Sequence, residues 1–143
     1  MTQTQLEQND TQKIEAYLVL EDARIDTLPR HFGARMMSVE NGIYNFMRAF
    51  ASEYKGGYWD LYELSNGGFY MAPHSGPLKF SVHSNGFEGT LSADAAGITV
   101  CLFTFSHFSF HYPADEVFSR HFYALKKFAQ DHKEGELIIS AID

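Results

Sequence analysis

Hydrophobic and polar positions change period twice along this chain. Across residues 56–97, short aromatic and β-branched runs alternate with Asn-Gly turns; on both sides, apolar residues recur at helical spacing. The runs YWDLYEL (58–64) and FYM (69–71) flank Ser65-Asn66-Gly67-Gly68. The runs LKFSVH (78–83) and FEGTLS (87–92) flank Ser84-Asn85-Gly86. Asn-Gly between such runs is a strong hairpin signal, because the primed turns need positive φ. The four runs therefore predict a four-stranded antiparallel meander.

Around it the pattern is helical. Val39, Ile43, Phe46, Met47 and Phe50 share one face of a helix over 38–52, with Ser38 as cap. Phe118, Phe122, Leu125 and Phe128 stripe a helix over 114–132, which Pro113 opens. Ile14 to Leu20 is a weak pattern, a short helix or an extended arm. Residues 28–33, LPRHFG, read as a loop, because Pro29 disfavours helix at the residue before it. Residues 136–142 are a short helix or an extended tail. The stretch 99–112 stays open by local pattern. Its β-branched and aromatic content suits a strand, while Ser92 as cap and Asp94 in a first turn suit a helix over 93–111. Helix is the reading chosen, since the uninterrupted length exceeds an ordinary strand. The predicted class is α+β, one domain, with the meander packed on three or four helices. Residues 1–23 form a flexible or weakly structured segment, disordered over the first dozen, and 24–143 form the folded domain.

Composition removes several function classes. The chain has 143 residues, 18 acids and 11 bases, for a net charge of −7. The acids are interspersed, so neither a basic nucleic-acid footprint nor stable direct DNA binding is expected. Nor do they approach the charge density of a duplex, about one per 1.7 Å, that a DNA mimic needs. The single cysteine, Cys101, sits in an apolar run and reads as a buried, inert thiol. No basic-then-apolar leader and no membrane-length apolar run are present, so the expected location is the cytoplasm.

Candidate chemistry is sparse. His107 and His111 stand one helical turn apart, as two metal ligands would, but no Glu follows His107, and packing in a half-buried aromatic run is the simpler reading. Ser92 and Asp94 are explained by helix capping, and Glu88 with Asp94 shows no matched acid–base pattern. The glycine-rich turns lack a phosphate-loop spacing. Taken from the residues, no catalytic, cofactor or metal site is expected.

Four stretches carry a resemblance: LPRHFG (28–33), GGYWDLYELSNGGFYMAP (56–73), NGFEGTLSADAAGI (85–98) and the closing AID (141–143). In order and spacing, from about residue 24 to 143, they resemble the antirestriction proteins of the ArdB/KlcA type. The resemblance implies a small α+β protein of plasmids, phages or integrated mobile elements. It implies protection of incoming DNA from type I restriction–modification systems, distinct from acidic DNA mimicry, with no cofactor or catalytic residues and the type I complex as partner. It also supports a helix after SADAAGI. Rival readings are a DNA mimic and a small metal-dependent enzyme using His107 and His111. Trp59, Asn66, Tyr70 and Asp94 lie in these stretches and are chemically suited to an interface, so they are the partner-binding candidates. Nothing in the sequence sets an oligomeric state.

Overall fold

The structure, a computed structural model, describes residues 13–143. Strand β1 (Ala16–Leu18) leads through a 3-10 turn into α1 (Arg24–Phe32) and then α2 (Met36–Phe50). Strands β2 (Trp59–Leu64), β3 (Phe69–Pro73), β4 (Leu78–Val82) and β5 (Phe87–Leu91) follow. Helices α3 (Ala93–His111), α4 (Val117–Gln130) and α5 (Gly135–Ile142) close the chain.

Both hairpins form where the Asn-Gly turns place them, with Tyr62 opposite Tyr70 and Phe80 opposite Gly89. They do not join into one four-stranded meander. The strands make a three-stranded sheet, β1-β2-β3, and a separate β4-β5 ribbon. The long connection through Pro73 and Pro77 lets β4 leave the edge of β3. The weak 14–20 pattern resolves as β1, which pairs antiparallel with β2. The folded sheet thus draws on residues upstream of 24, while the disorder expected over residues 1–12 lies outside the described residues.

The turns are held differently from a primed turn. Only the glycines have positive φ, 88° at Gly67 and 75° at Gly86. The asparagines act through their side chains. Asn66 Oδ1 accepts from Gly68 N at 3.0 Å and Nδ2 donates to Ala124 O in α4 at 2.9 Å. Asn85 repeats the arrangement, accepting from Phe87 N at 3.0 Å and donating to Ala141 O in α5 at 2.7 Å. Each hairpin tip is therefore stapled to a C-terminal helix.

Helix α3 is the centre. Ser92 caps it, accepting from Ala95 N at 3.1 Å. Ala95 to Leu102 are buried without interruption, so this half of the helix is interior with no polar stripe, and its last turns carry the exposed His107 and His111. Thr99 and Thr104 are tolerated inside because their hydroxyls donate to the carbonyls of Ala95 and Val100. Gly97 lets α3 lie directly on β3, since a Cβ there would stand 2.4 Å from Met71 O.

Residues 28–33 are not a loop. Thr27, Leu28 and Phe32 are buried on one face of α1, and Thr27 Oγ1 donates back to Ala23 O at 2.8 Å. Burial on that face outweighs the hydrogen bond that Pro29 cannot make. Helix α2 starts before Ser38, so Ser38 lies inside it. Helix α4 starts after Pro113, at Val117, whose N–H donates to Asp115 Oδ1 at 3.1 Å.

Candidate functional site

The four interface candidates separate into two kinds. Trp59 and Tyr70 are each 2% exposed. Trp59 Nε1 donates to Tyr54 OH at 2.8 Å, and its ring meets Tyr44 edge-on at 5.3 Å. Tyr70 stacks between Tyr62, 4.7 Å away, and Phe128, 5.8 Å away. Neither ring is available as a surface anchor, because the two lie on opposite faces of the β2-β3 pair and each is covered there by other side chains. Asn66 is exposed, and Asp94 is half-buried with 39% of its side chain accessible.

Tyr70 and Asp94 are brought together. Tyr70 OH donates to Asp94 Oδ1 at 2.7 Å, and His132 Nε2 meets Oδ2 at 2.8 Å. His132 Nδ1 accepts from Glu134 N at 2.9 Å, so the ring hydrogen sits on Nε2 and is donated to Asp94. Ser92 Oγ and N both donate to Glu134. Burial pushes the Asp94 carboxyl up, but the hydrogen bonds from His132 and Tyr70 outweigh it and hold the group below its usual range. Burial, with Asp94 beside it, drives the Tyr70 phenol well above its ordinary value. This clasp joins β3, the start of α3 and the turn before α5. Each of its polar groups has a partner within the chain, while Asp94 keeps 39% of its side chain accessible. His132 and Glu134 carry no recognisable spacing to Asp94, which is why the sequence does not reveal them.

A second cluster lies where LPRHFG meets the SNGG turn. Arg30 and His31 of α1 both reach Glu63 Oε1, at 2.5 and 3.1 Å. Burial raises the Glu63 carboxyl, and the two donors more than reverse this. Burial lowers His31, only partly offset by Glu63. His31 stands edge-on to His121 of α4 at 5.0 Å. His121 is 6% exposed and its Nδ1 has no partner among the described residues. Burial, then the neighbouring His31 and Arg120, brings its imidazole down to about 4. Arg30, His31 and His121 border a cleft of about 290 Å³ that Asn66, Gly67 and Arg120 also line.

Elsewhere the candidates stay apart. His107 and His111 are exposed rather than half-buried, stacked at 5.8 Å, and no third His, Cys, Asp or Glu joins them among the described residues. Glu88 stays in β5, away from the clasp that holds Asp94. Cys101 is buried, its thiol directed at Met71 O at 3.8 Å and pushed up to about 12 by burial. No described helix is long and apolar enough to cross a membrane.

Comparison with known proteins places these features in a group. A family model described as antirestriction protein matches residues 52–143. The chain is 42% identical over 138 residues to an antirestriction protein KlcA of Escherichia coli, covering 92% of this chain and 96% of that protein. It is 36% identical over 130 residues to the uncharacterized protein YafX of Escherichia coli strain K12, covering 87% and 85%. A solved structure matches with a TM-score of 0.84 at 43% identity, over 92% of this chain and 96% of that one. It belongs to work on KlcA and ArdB reporting a novel fold and antirestriction activity against Type I DNA restriction systems in vivo but not in vitro.

Proposed function

Because the chain belongs to the antirestriction protein family, we propose that it relieves type I restriction in the cell and so protects incoming mobile-element DNA. The carrying observation is the match along nearly the whole chain, in sequence and in fold, to proteins with that activity in vivo. The protein acts as a cytoplasmic inhibitor rather than an enzyme, a reading supported by its likeness to antirestriction proteins. Its partner is the type I restriction–modification complex.

Mimicry of DNA is the less favoured mechanism. Asp60, Glu63, Asp94 and Asp115 are each within 4 Å of a His or Arg of the same chain, so these four present less free negative charge than mimicry would draw on. A few local contacts carry the inhibition instead, with Asn66 and Asp94 as the accessible candidates and Trp59 and Tyr70 supporting them from the core.

The test is phage plating on hosts with and without a type I system. Unmodified phage should plate better on the restricting host when this protein is expressed, and equally well on the non-restricting host. Unchanged plating on the restricting host removes the proposal. Because the relatives act in vivo but not in vitro, the cellular assay is the deciding one.

A further inference from the structure

The cleft beside α1, the first hairpin turn and α4 has a charge pattern unlike the rest of this acidic chain. Arg30, His31, Arg120 and His121 line it, and no carboxylate does. Glu63, just outside the cleft, pairs with both Arg30 and His31, but Arg120 forms no ion pair among the described residues. His121 is fixed by Phe32 at 4.7 Å, His31 at 5.0 Å and Phe105 at 5.5 Å, with Nδ1 buried and unpaired. A buried nitrogen without a partner costs about 1–3 kcal/mol, and phenylalanine would fill this aromatic pocket without that cost. The ring nonetheless borders the cleft, and since Nδ1 is the buried nitrogen, Nε2 is the one that can face it.

We propose that this cleft binds a small phosphate-type oxyanion, free or as a monoester. Arg120 and Arg30 approach from two helices and supply charged donors of the fork geometry that matches phosphate oxygens. His121 adds a ring donor through Nε2 at the cleft wall, the buried Nδ1 being the unprotonated nitrogen of the neutral ring. Phosphate, with about −1.5 to −2 charges and several strong acceptor oxygens, suits two guanidinium groups and an imidazole better than a singly charged carboxylate. Asn66 borders the same cleft, so the site is read by binding alone, in an assay that does not depend on antirestriction activity.

The experiment is an NMR titration of protein labelled at its His rings and Arg side chains, at constant pH and ionic strength. Inorganic phosphate, phenyl phosphate and acetate are the probes. Saturable shifts at His121 and Arg120 are expected with at least one phosphate, about tenfold tighter than with acetate. Whichever phosphate binds more tightly identifies free ion or ester as the source. Arg120→Ala should weaken binding about tenfold, whereas Arg48→Ala, remote on α2 and bonded to Asn45, should leave it unchanged. His121→Phe should fold and lose the shifts. Non-saturating shifts with both phosphates, equal acetate binding, or equal effects of Arg120→Ala and Arg48→Ala would overturn the proposal. If His121→Phe fails to fold, Arg120→Ala, at an exposed position, still decides it.

Discussion

Gly97→Ala tests how α3 meets the sheet. The added Cβ would stand 2.4 Å from Met71 O and 2.7 Å from both Ala72 Cα and Cβ. Ordinary carbon contacts lie at about 3.5–4.0 Å, so α3 must retreat from β3 by roughly 1 Å. A gap of about 0.5–1 Å already forfeits a quarter to a half of each dispersion well along that interface. Overpacking of this kind costs about 1–3 kcal/mol and occasionally more. Here the nearest obstructions, Met71 O and Ala72 Cα, are backbone atoms that cannot rotate away, so the gross cost falls in the upper tail of such effects, about 4 kcal/mol. Alanine returns about 1 kcal/mol of helix propensity, leaving a net loss of about 3 kcal/mol. At about 2–4 °C per kcal/mol for a domain near this size, Tm should fall by about 6–12 °C. The control is Gly42→Ala, whose Cβ would meet only side chains, Thr104 Cγ2 at 3.0 Å and Phe108 Cε2 at 3.3 Å. It should stay within about 1 kcal/mol of wild type. Urea unfolding followed by circular dichroism measures both. Gly97→Ala as stable as wild type, or no worse than Gly42→Ala, would refute close helix–strand contact as the reason for this glycine.

Asn66→Asp and Asn85→Asp keep the turn acceptor but remove the donor to α4 or α5. Each should cost about 1 kcal/mol in urea unfolding, with the double variant additive. His121 is neutral in the folded protein down to about pH 4, whereas an unfolded histidine takes up its proton near pH 6.5, so stability should fall as pH drops between these values. His121→Phe should flatten about 3 kcal/mol of that slope in pH-dependent melts, with His31 supplying a residual slope of the same sign. Asp94 has a lowered folded pKa, so its contribution is present above the ordinary carboxyl range and fades as pH falls through the folded value. Asp94→Asn, which sets an amide against the donating His132, should be about 1–3 kcal/mol less stable at pH 7, with the gap closing in acid. A gap that widens in acid would overturn the assigned hydrogen-bond roles.

Signals confined to a few neighbouring residues were legible. Asn66-Gly67 and Asn85-Gly86 marked both hairpins, and Ser92 with Asp94 marked the start of α3. The period of α3 was not legible, because its first half, Ala95 to Leu102, is buried on every side and has no polar face to reveal it. Pro29 misled for a related reason: the local preference against helix was real, but Leu28 and Phe32 are buried by residues far along the chain. The site was the least legible part. His132 and Glu134 reach Asp94 and Ser92 across about forty residues, and Arg30, Asn66 and His121 share a cleft although three separate elements carry them.

The sequence by itself determined the α+β class, both turns, the central helix cap and the antirestriction kinship. Turn, cap and periodic signals act over a few residues, and motif order is linear. Only the tertiary structure decided that the sheet divides between β3 and β4, that Trp59 and Tyr70 are both buried, and that His121 is left unpaired beside Arg120. Those outcomes depend on which distant surfaces exclude water together, and burial is a property of the packed whole rather than of any stretch within it.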